Sequence, residues 1–74
     1  MQFRRPELFD LVAVTQPLDT QPLEVGDVGA VVELLGNDTA EVEFLAPDGH
    51  TLCVATCPFT QLLLLNRWQA VPAD

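Results

Sequence analysis

The chain has 74 residues and a formal net charge of −8, with eleven Asp and Glu against three Arg and no Lys. A domain of this size can bury one modest core, and the 49% hydrophobic fraction is enough to fill it. The absence of lysine excludes the broad basic surface that non-specific nucleic-acid binding requires. We therefore expect a single domain over residues 1–74, with its core at about residues 9–65 and a tail at residues 66–74.

The sequence carries no signal for a membrane or for export. Its longest aliphatic cluster, at residues 62–65, is far shorter than the roughly 18–20 residues of a transmembrane helix. Arg4 and Arg5 stand near the N-terminus, but Asp10 interrupts any apolar stretch after them. We expect no signal peptide and a cytoplasmic location.

Hydrophobic alternation and turn residues predict the strands. The first strand covers residues 9–15. Residues 16–23 contain two prolines and are predicted to be an extended loop, because proline removes a backbone donor and restricts the chain. Leu18 and Leu23 are the residues expected to hold this loop against the core.

A Gly26-Asp27-Val28-Gly29 corner leads into the second strand. Two glycines at this spacing suit a turn, a bulge or a close approach of two backbones. A phosphate-binding loop would need a following helix and a lysine, and the sequence predicts neither. We interpret the corner as a structural turn.

The second and third strands are predicted to form a hairpin. Residues 30–35 alternate between two faces, and residues 36–38 have the composition of a hairpin turn. The third strand directs three residues inward, Ala40, Val42 and Phe44. The outer face of the hairpin then receives three acids, Glu33, Glu41 and Glu43.

The fourth strand, at residues 50–56, follows a turn that contains Pro47 and Gly49. Its expected core residues are Leu52 and Val54. A single 3₁₀ turn at residues 58–61 is predicted before a short fifth strand at residues 62–65. This plan predicts an all-β fold, a small five-stranded antiparallel SH3-like barrel with one 3₁₀ turn before the last strand. An OB-like barrel is the alternative, for which the chain is short and lacks the usual helix.

Several of these motifs resemble a known family of small bacterial proteins that is described only as a domain of unknown function. The resemblance rests on Leu11-Val12-Ala13-Val14, the Gly26-x-x-Gly29 corner with its strand, Glu41-Val42-Glu43-Phe44 and Asp48-Gly49-x-Thr51-Leu52, within about residues 9–65. It implies a stand-alone SH3-like barrel and no catalytic residues. The glycine corner also resembles KOW-type modules of ribosomal and transcription-factor barrels, which are typically basic, unlike this chain.

His50, Cys53 and Cys57 are the candidate metal ligands and nucleophiles. On one continuous strand the two cysteines lie about 13 Å apart, which is too far for a disulfide. Structural zinc takes four ligands, and His50 is predicted to face away from Cys53. His50 and Cys57 stand at opposite ends of the strand, beyond the reach of a nucleophile and its base. We predict no metal, no cofactor and no enzymatic activity.

Apolar residues outnumber the inward positions. If Leu62 and Leu64 face the core, Leu63 and Leu65 face outward on an edge strand, near Trp68, which could instead fold over them. We predict a non-catalytic protein-interaction module: a homodimer through this C-terminal edge strand, or a regulatory or immunity-type partner of another bacterial protein. The hypothesised contact residues are Leu63, Leu65, Trp68, Glu33, Glu41 and Glu43. The alternative is a KOW-like nucleic-acid or ribosome-associated module that uses Arg4, Arg5 and Arg67.

Overall fold

The computed structural model describes residues 5–18 and 22–66, and Asn66 for its backbone alone. The strands are β1 (Leu11–Val14), β2 (Val28–Leu35), β3 (Thr39–Leu45), β4 (Thr51–Pro58) and β5 (Leu62–Asn66), with a 3₁₀ turn at Phe59–Gln61. All pairings are antiparallel, and the sheet has the order β4-β3-β2-β1-β5. The prediction of an all-β fold with five antiparallel strands is confirmed. Three residues of the functional hypotheses, Arg4, Arg67 and Trp68, lie outside the described residues, as does the rest of the predicted tail after Asn66.

The core lies on one face of the sheet. β1 and β3 supply it by strict alternation, since every second side chain of a strand points to the same face. The most deeply buried of these are Val12, Val14, Ala40, Val42 and Phe44. The loop at residues 16–18 and 22–23 is anchored as predicted, because Leu23 is buried and Leu18 packs against the same cluster.

β4 faces the core with residues other than those predicted. Leu52 and Val54 are 58% and 46% exposed, whereas Ala55 and Cys57 are buried. The pairing of Phe44 with Cys53 sets this register, and an irregularity beyond it leaves Leu52 as an extra residue. The expectation for Leu52 and Val54 is wrong because both faces of this strand are apolar. A shift by one residue exchanges them, and alternation alone cannot choose between them.

The glycine corner combines two different requirements. Gly26 has a φ of 96°, a left-handed conformation that glycine adopts without strain. Gly29 lies in β2, where a Cβ atom would stand 2.6 Å from the carbonyl oxygen of Glu43. The predicted turn and the predicted close backbone approach are therefore both present, three residues apart. Val32 then forms a bulge, because Val31 pairs with Val42 and Glu33 pairs with Glu41.

Residues 7–10 and 24–27 form two turns of the same design. In each, the aspartate N–H donates to the glutamate carbonyl, and the aspartate carboxylate accepts from the glutamate N–H, at 2.8 Å and 2.9 Å respectively. The third residue has a positive φ in both turns, and it is Phe9 in one and Gly26 in the other. A non-glycine residue in this region costs about 1–2 kcal/mol. Asp10, which closes the first turn, is 1% exposed.

Candidate functional site

β5 is an edge strand made almost entirely of leucine. It pairs with β1, and it is the last strand in the sheet order on that side. Leu62 is 6% exposed and Leu64 packs against the core, while Leu63 is 54% exposed and Leu65 is also exposed. The predicted outward placement of Leu63 and Leu65 is what the structure shows. Outward leucines on an edge strand are the arrangement that invites pairing with another chain.

An apolar patch extends from β5 across the outer face of the sheet. Ala13 pairs with Leu63 on one side and with Val28 on the other. It alternates with the buried Val12 and Val14 and so points outward, yet it is only 8% exposed, since its neighbours cover it. We define the apolar patch by its exposed members, Leu11, Val28, Leu63 and Leu65. Contiguous exposed apolar surface of this kind is typical of interaction sites.

The three predicted acids lie together on the outer face of β2 and β3, which we call the acidic stripe (Glu33, Glu41 and Glu43). Glu33 and Glu41 are direct cross-strand partners. Glu41 and Glu43 alternate with the buried Ala40, Val42 and Phe44 and therefore face outward. Two like charges directly opposite each other are destabilising. The pairing of Glu33 with Glu41 is thus a cost to the fold rather than a contribution to it.

Two threonines of β4 hold the acidic stripe towards that strand. The hydroxyl of Thr56 donates to Oε1 of Glu41 at 2.6 Å, and the hydroxyl of Thr51 donates to Oε2 of Glu43 at 2.7 Å. β4 forms the other edge of the sheet. Both carboxylates are therefore directed towards a strand edge that has no partner strand within residues 5–18 and 22–66, a relation that the sequence pattern did not reveal. The pairing register supplies it, because Glu41 lies opposite Thr56.

The aspartates of the turns have a structural role. Asp48 accepts from the backbone N–H of His50 at 3.0 Å and lies 2.8 Å from its Nδ1 atom. These hydrogen bonds, the backbone one first, lower the pKa of Asp48 below its ordinary value. Asp38 accepts from the hydroxyl of Thr39 at 2.9 Å, and its carbonyl accepts from the N–H of Phe59 at 2.8 Å. These acids close the hairpins and are distinct from the acidic stripe.

The thiols and the histidine stand apart in the structure. Cys57 is fully buried and Cys53 half-buried, both as free cysteines. Burial, with smaller effects of Cys53 and Glu41, raises the pKa of the Cys57 thiol to about 11, so it is protonated at neutral pH and a poor nucleophile. His50 is 85% exposed beside Asp48. Within residues 5–18 and 22–66, no three His, Cys, Asp or Glu side chains come together as metal ligands.

Arg5 is engaged within the chain. Its guanidinium donates to the carbonyl of Asn37 at 2.6 Å and lies 5.7 Å from the centroid of the Phe59 ring. This contact joins the N-terminal segment to the β2–β3 turn and to the 3₁₀ turn, and cation–π attraction contributes to it. Of the three arginines considered for nucleic-acid binding, the one that the structure describes thus has an internal structural role.

Comparison with known proteins bears on family alone. A family model described as "Domain of unknown function (DUF4926)" matches residues 8–64, most of the chain. The chain belongs to this family. The match spans β1 to β4 and the 3₁₀ turn and ends within β5, so it includes both the acidic stripe and the start of the apolar edge of the DUF4926 domain. No curated protein and no solved structure matches it. In the described part of the DUF4926 chain, no helix has the length and apolar character needed to span a bilayer.

Proposed function

We propose that the chain is a non-catalytic protein-interaction module, built as an SH3-like barrel, that binds a second copy of itself through β5. The barrel assignment is supported by the strand path. β1, β2, β3 and β4 each lie next to the strand that precedes them in the sequence. After the 3₁₀ turn the chain crosses back, and β5 pairs with the opposite side of β1. The bend needed to curl such a sheet is available at the bulges of β2, β4 and β5.

Among the described residues no strand pairs with the outer edge of β5, and this open edge is the observation that carries the proposal. Natural sheets protect an edge with lysine, proline, inward charges or a strong bulge. The residues of β5, Leu62 to Asn66, include no charge and no proline. β5 does have two protections, a bulge at Leu65 between the Val12–Leu64 and Leu11–Asn66 pairs and a length of only five residues, and both limit the strength of pairing. The edge therefore favours a specific partner of matched length over open-ended aggregation.

A two-fold axis at Leu64, the centre of β5, gives a consistent antiparallel pairing. Each Leu63 then lies opposite the partner's Leu65 on the outer face, in line with Leu11 and Val28 of the apolar patch. Cross-strand apolar pairs of this kind each contribute roughly 0.2–1 kcal/mol. Isologous pairing about a two-fold axis is also the commonest form of homodimer, because one surface serves both subunits.

The net charge opposes this association. Added salt screens the charge repulsion, so its effect can be distinguished from that of the apolar contact. Two copies at −8 repel each other, but the acidic stripe lies on β2 and β3, with β1 between it and β5. The repulsion is thus long-range and falls as the Debye length shortens, from about 10 Å at 0.1 M salt to about 3 Å at 1 M. Dimerisation through leucines is therefore expected to strengthen as salt is added.

Light scattering coupled to gel filtration tests the proposal over a concentration series at low and high salt. The wild type is expected to approach the dimer mass at high salt. Leu63→Lys places on the edge the residue that natural sheets use to block pairing, and it is expected to weaken dimerisation at least about tenfold. The matched control is Leu45→Lys, which adds the same charge at a similarly exposed leucine (48%) at the end of β3. A wild type that stays monomeric at every salt concentration, or equal weakening by both variants, would contradict self-association through β5.

A further inference from the structure

We infer that the free edge of β4 is a second docking site, which accepts an extended basic segment of another protein by β-strand addition. This inference rests on the proposed role of the chain as an interaction module, but it concerns the opposite edge of the sheet and a partner of different chemistry. It follows from the edge itself, from the position of the acidic stripe beside it, and from the charge that an occupant must bring.

The edge is long enough to bind a segment through its backbone. β4 has eight residues, Thr51–Pro58, and it pairs with β3 alone among the described strands. Every second residue of an edge strand directs its N–H and C=O groups away from the sheet, and an added strand satisfies them. β4 contains no charged residue, and Pro58 stands at its end. The irregularity at Leu52 interrupts the strand near its start, so the regular edge runs from Cys53 to Cys57.

The outward side chains of β4 leave room above the strand. They are Thr56, Val54 and Thr51, joined by the exposed bulge residue Leu52, and the two threonines are drawn towards β3 by their hydrogen bonds to Glu41 and Glu43. A strand added to β4 would lie about 5 Å from β4 and about 10 Å from β3. Lysine and arginine side chains of the added strand are long enough to reach across β4 to β3. Their apolar stems would lie on Val54, and their charged groups would meet the carboxylates of Glu41 and Glu43.

Charge decides the occupant. Glu41 and Glu43 occupy alternate positions of β3 on its outer face, so an added strand meets one carboxylate at every second residue. Glu33 lies directly beyond Glu41 and adds to the negative potential. A second copy of this chain would bring the same acids to the contact, and its own β4 and β5 carry no cations. The complementary occupant is an extended segment with Lys or Arg at alternate positions.

Such an occupant would also offset the repulsion between Glu33 and Glu41. A cation between two opposed carboxylates converts a destabilising pair into a bridged one. Because the carboxylates are exposed, the attraction is modest and sensitive to salt, and the backbone pairing supplies the remaining affinity. Binding at β4 is therefore expected to weaken as salt is added, opposite to dimerisation at β5.

The test uses a synthetic peptide of alternating lysine and valine, as long as β4, titrated into the full chain and followed by amide resonances and hydrogen exchange. Slower exchange is expected at β4 amides on the open side, with little change at β5. Glu41→Gln with Glu43→Gln retains acceptors for the two threonines while removing two charges, and it is expected to lower affinity roughly tenfold. The control, Glu7→Gln with Glu24→Gln, removes the same net charge at the two turns and is expected to leave affinity within about twofold.

Three results would overturn the inference: no binding at low salt, equal loss of affinity in both double variants, or protection that appears at β5. A peptide with glutamate in place of lysine supplies a further control, since it has the same alternation and must not bind. Failure here is separable from failure of the proposed function. If Leu63→Lys weakens dimerisation but the peptide does not bind, the β5 interface is retained and the β4 site is refuted. If the peptide binds but the chain stays monomeric at every salt concentration, the β4 site is retained and the β5 interface is refuted.

Discussion

The two edges of this sheet differ in chemistry, although neither pairs with a further strand in the part of the chain that the structure describes. β5 presents outward leucines and joins an apolar patch, whereas β4 presents two threonines, Val54 and Leu52 beside a stripe of glutamates. Their inner faces differ as well, because β5 is anchored by leucines and β4 by Ala55 and Cys57. A net charge of −8 acts on both, yet it opposes association of like copies at one edge and favours a basic partner at the other.

This contrast shows how one small sheet can hold two separable surfaces. Strand edges supply backbone groups without regard to sequence, so the side chains next to them decide which partner is favoured. In this chain the acids of the stripe lie on β2 and β3, whereas the outward side chains of β1 and β5 carry no charge. Substitutions at the buried anchors of each edge, and then at its charges, should separate the two surfaces.

The largest effect is expected at the inner anchor of β5. Leu62→Ala removes a buried side chain and is expected to lower the free energy of unfolding by about 2–4 kcal/mol. Leu63→Ala, one residue further along the same strand, is expected to change it by less than about 0.5 kcal/mol, because Leu63 is exposed. Urea unfolding of dilute monomer measures both. Equal losses in the two variants would show that the inward and outward faces of β5 are not those described.

A smaller effect, which depends on pH, is expected at the inner anchor of β4. The folded chain keeps the Cys57 thiol protonated up to about pH 11, whereas an unfolded thiol ionises near pH 8.5. The folded state thus binds more protons above pH 8.5, and stability is expected to fall by about 2 kcal/mol as pH rises towards 11.

Cys57→Ala is the control for this pH dependence. It removes the ionising group, so its stability is expected to fall less steeply over the same range, with Cys53 unchanged in both proteins. Denaturant unfolding at a series of pH values from 8 to about 11 gives the two slopes. Identical slopes would mean that Cys57 does not remain a protonated thiol in the fold.

The smallest effect is expected within the acidic stripe. Glu33→Gln removes one of two opposed carboxylates and is expected to raise stability by a few tenths of a kcal/mol at low salt. Glu43→Gln is the comparison, since Glu43 lies opposite Ala30 and Val54 and has no directly opposed acid. The gain for Glu33→Gln must shrink as salt is added. A loss of stability in that variant would contradict a repulsive pair.

Much of the fold could be predicted because the sequence places turn chemistry between alternating segments. Gly26 with Asp27, the residues around Gly36, and Gly49 locate three reversals of the chain, and the strands between them match prediction within about two residues at each end. The outward placement of Leu63 and Leu65 was also predicted, because alternate leucines of β5 face the core beside β1 and the others face away from it. Membership of a domain-of-unknown-function family was predicted from the same motifs and is confirmed.

The inner face of β4 could not be predicted, because Leu52 and Val54 are more apolar than Cys53 and Ala55, and the pairing register overrides that difference. The direction of Glu41 and Glu43 towards β4 was missed for a related reason. It depends on which threonine stands opposite which glutamate, and a bulge of one residue changes that relation. Phe9 is a further case, since its positive φ at a non-glycine position has no signal in local propensity.

Hydrogen exchange at β5 as a function of protein concentration tests the central claim, that this free edge pairs with a second copy, most directly. At high salt and high concentration, amides of residues 62–66 that do not bond to β1 are expected to become protected, while open-side amides of β4 keep their exchange rates. Leu63→Lys must abolish the added protection. Exchange at β5 that is independent of concentration, or protection that appears at β4 instead, would contradict the claim.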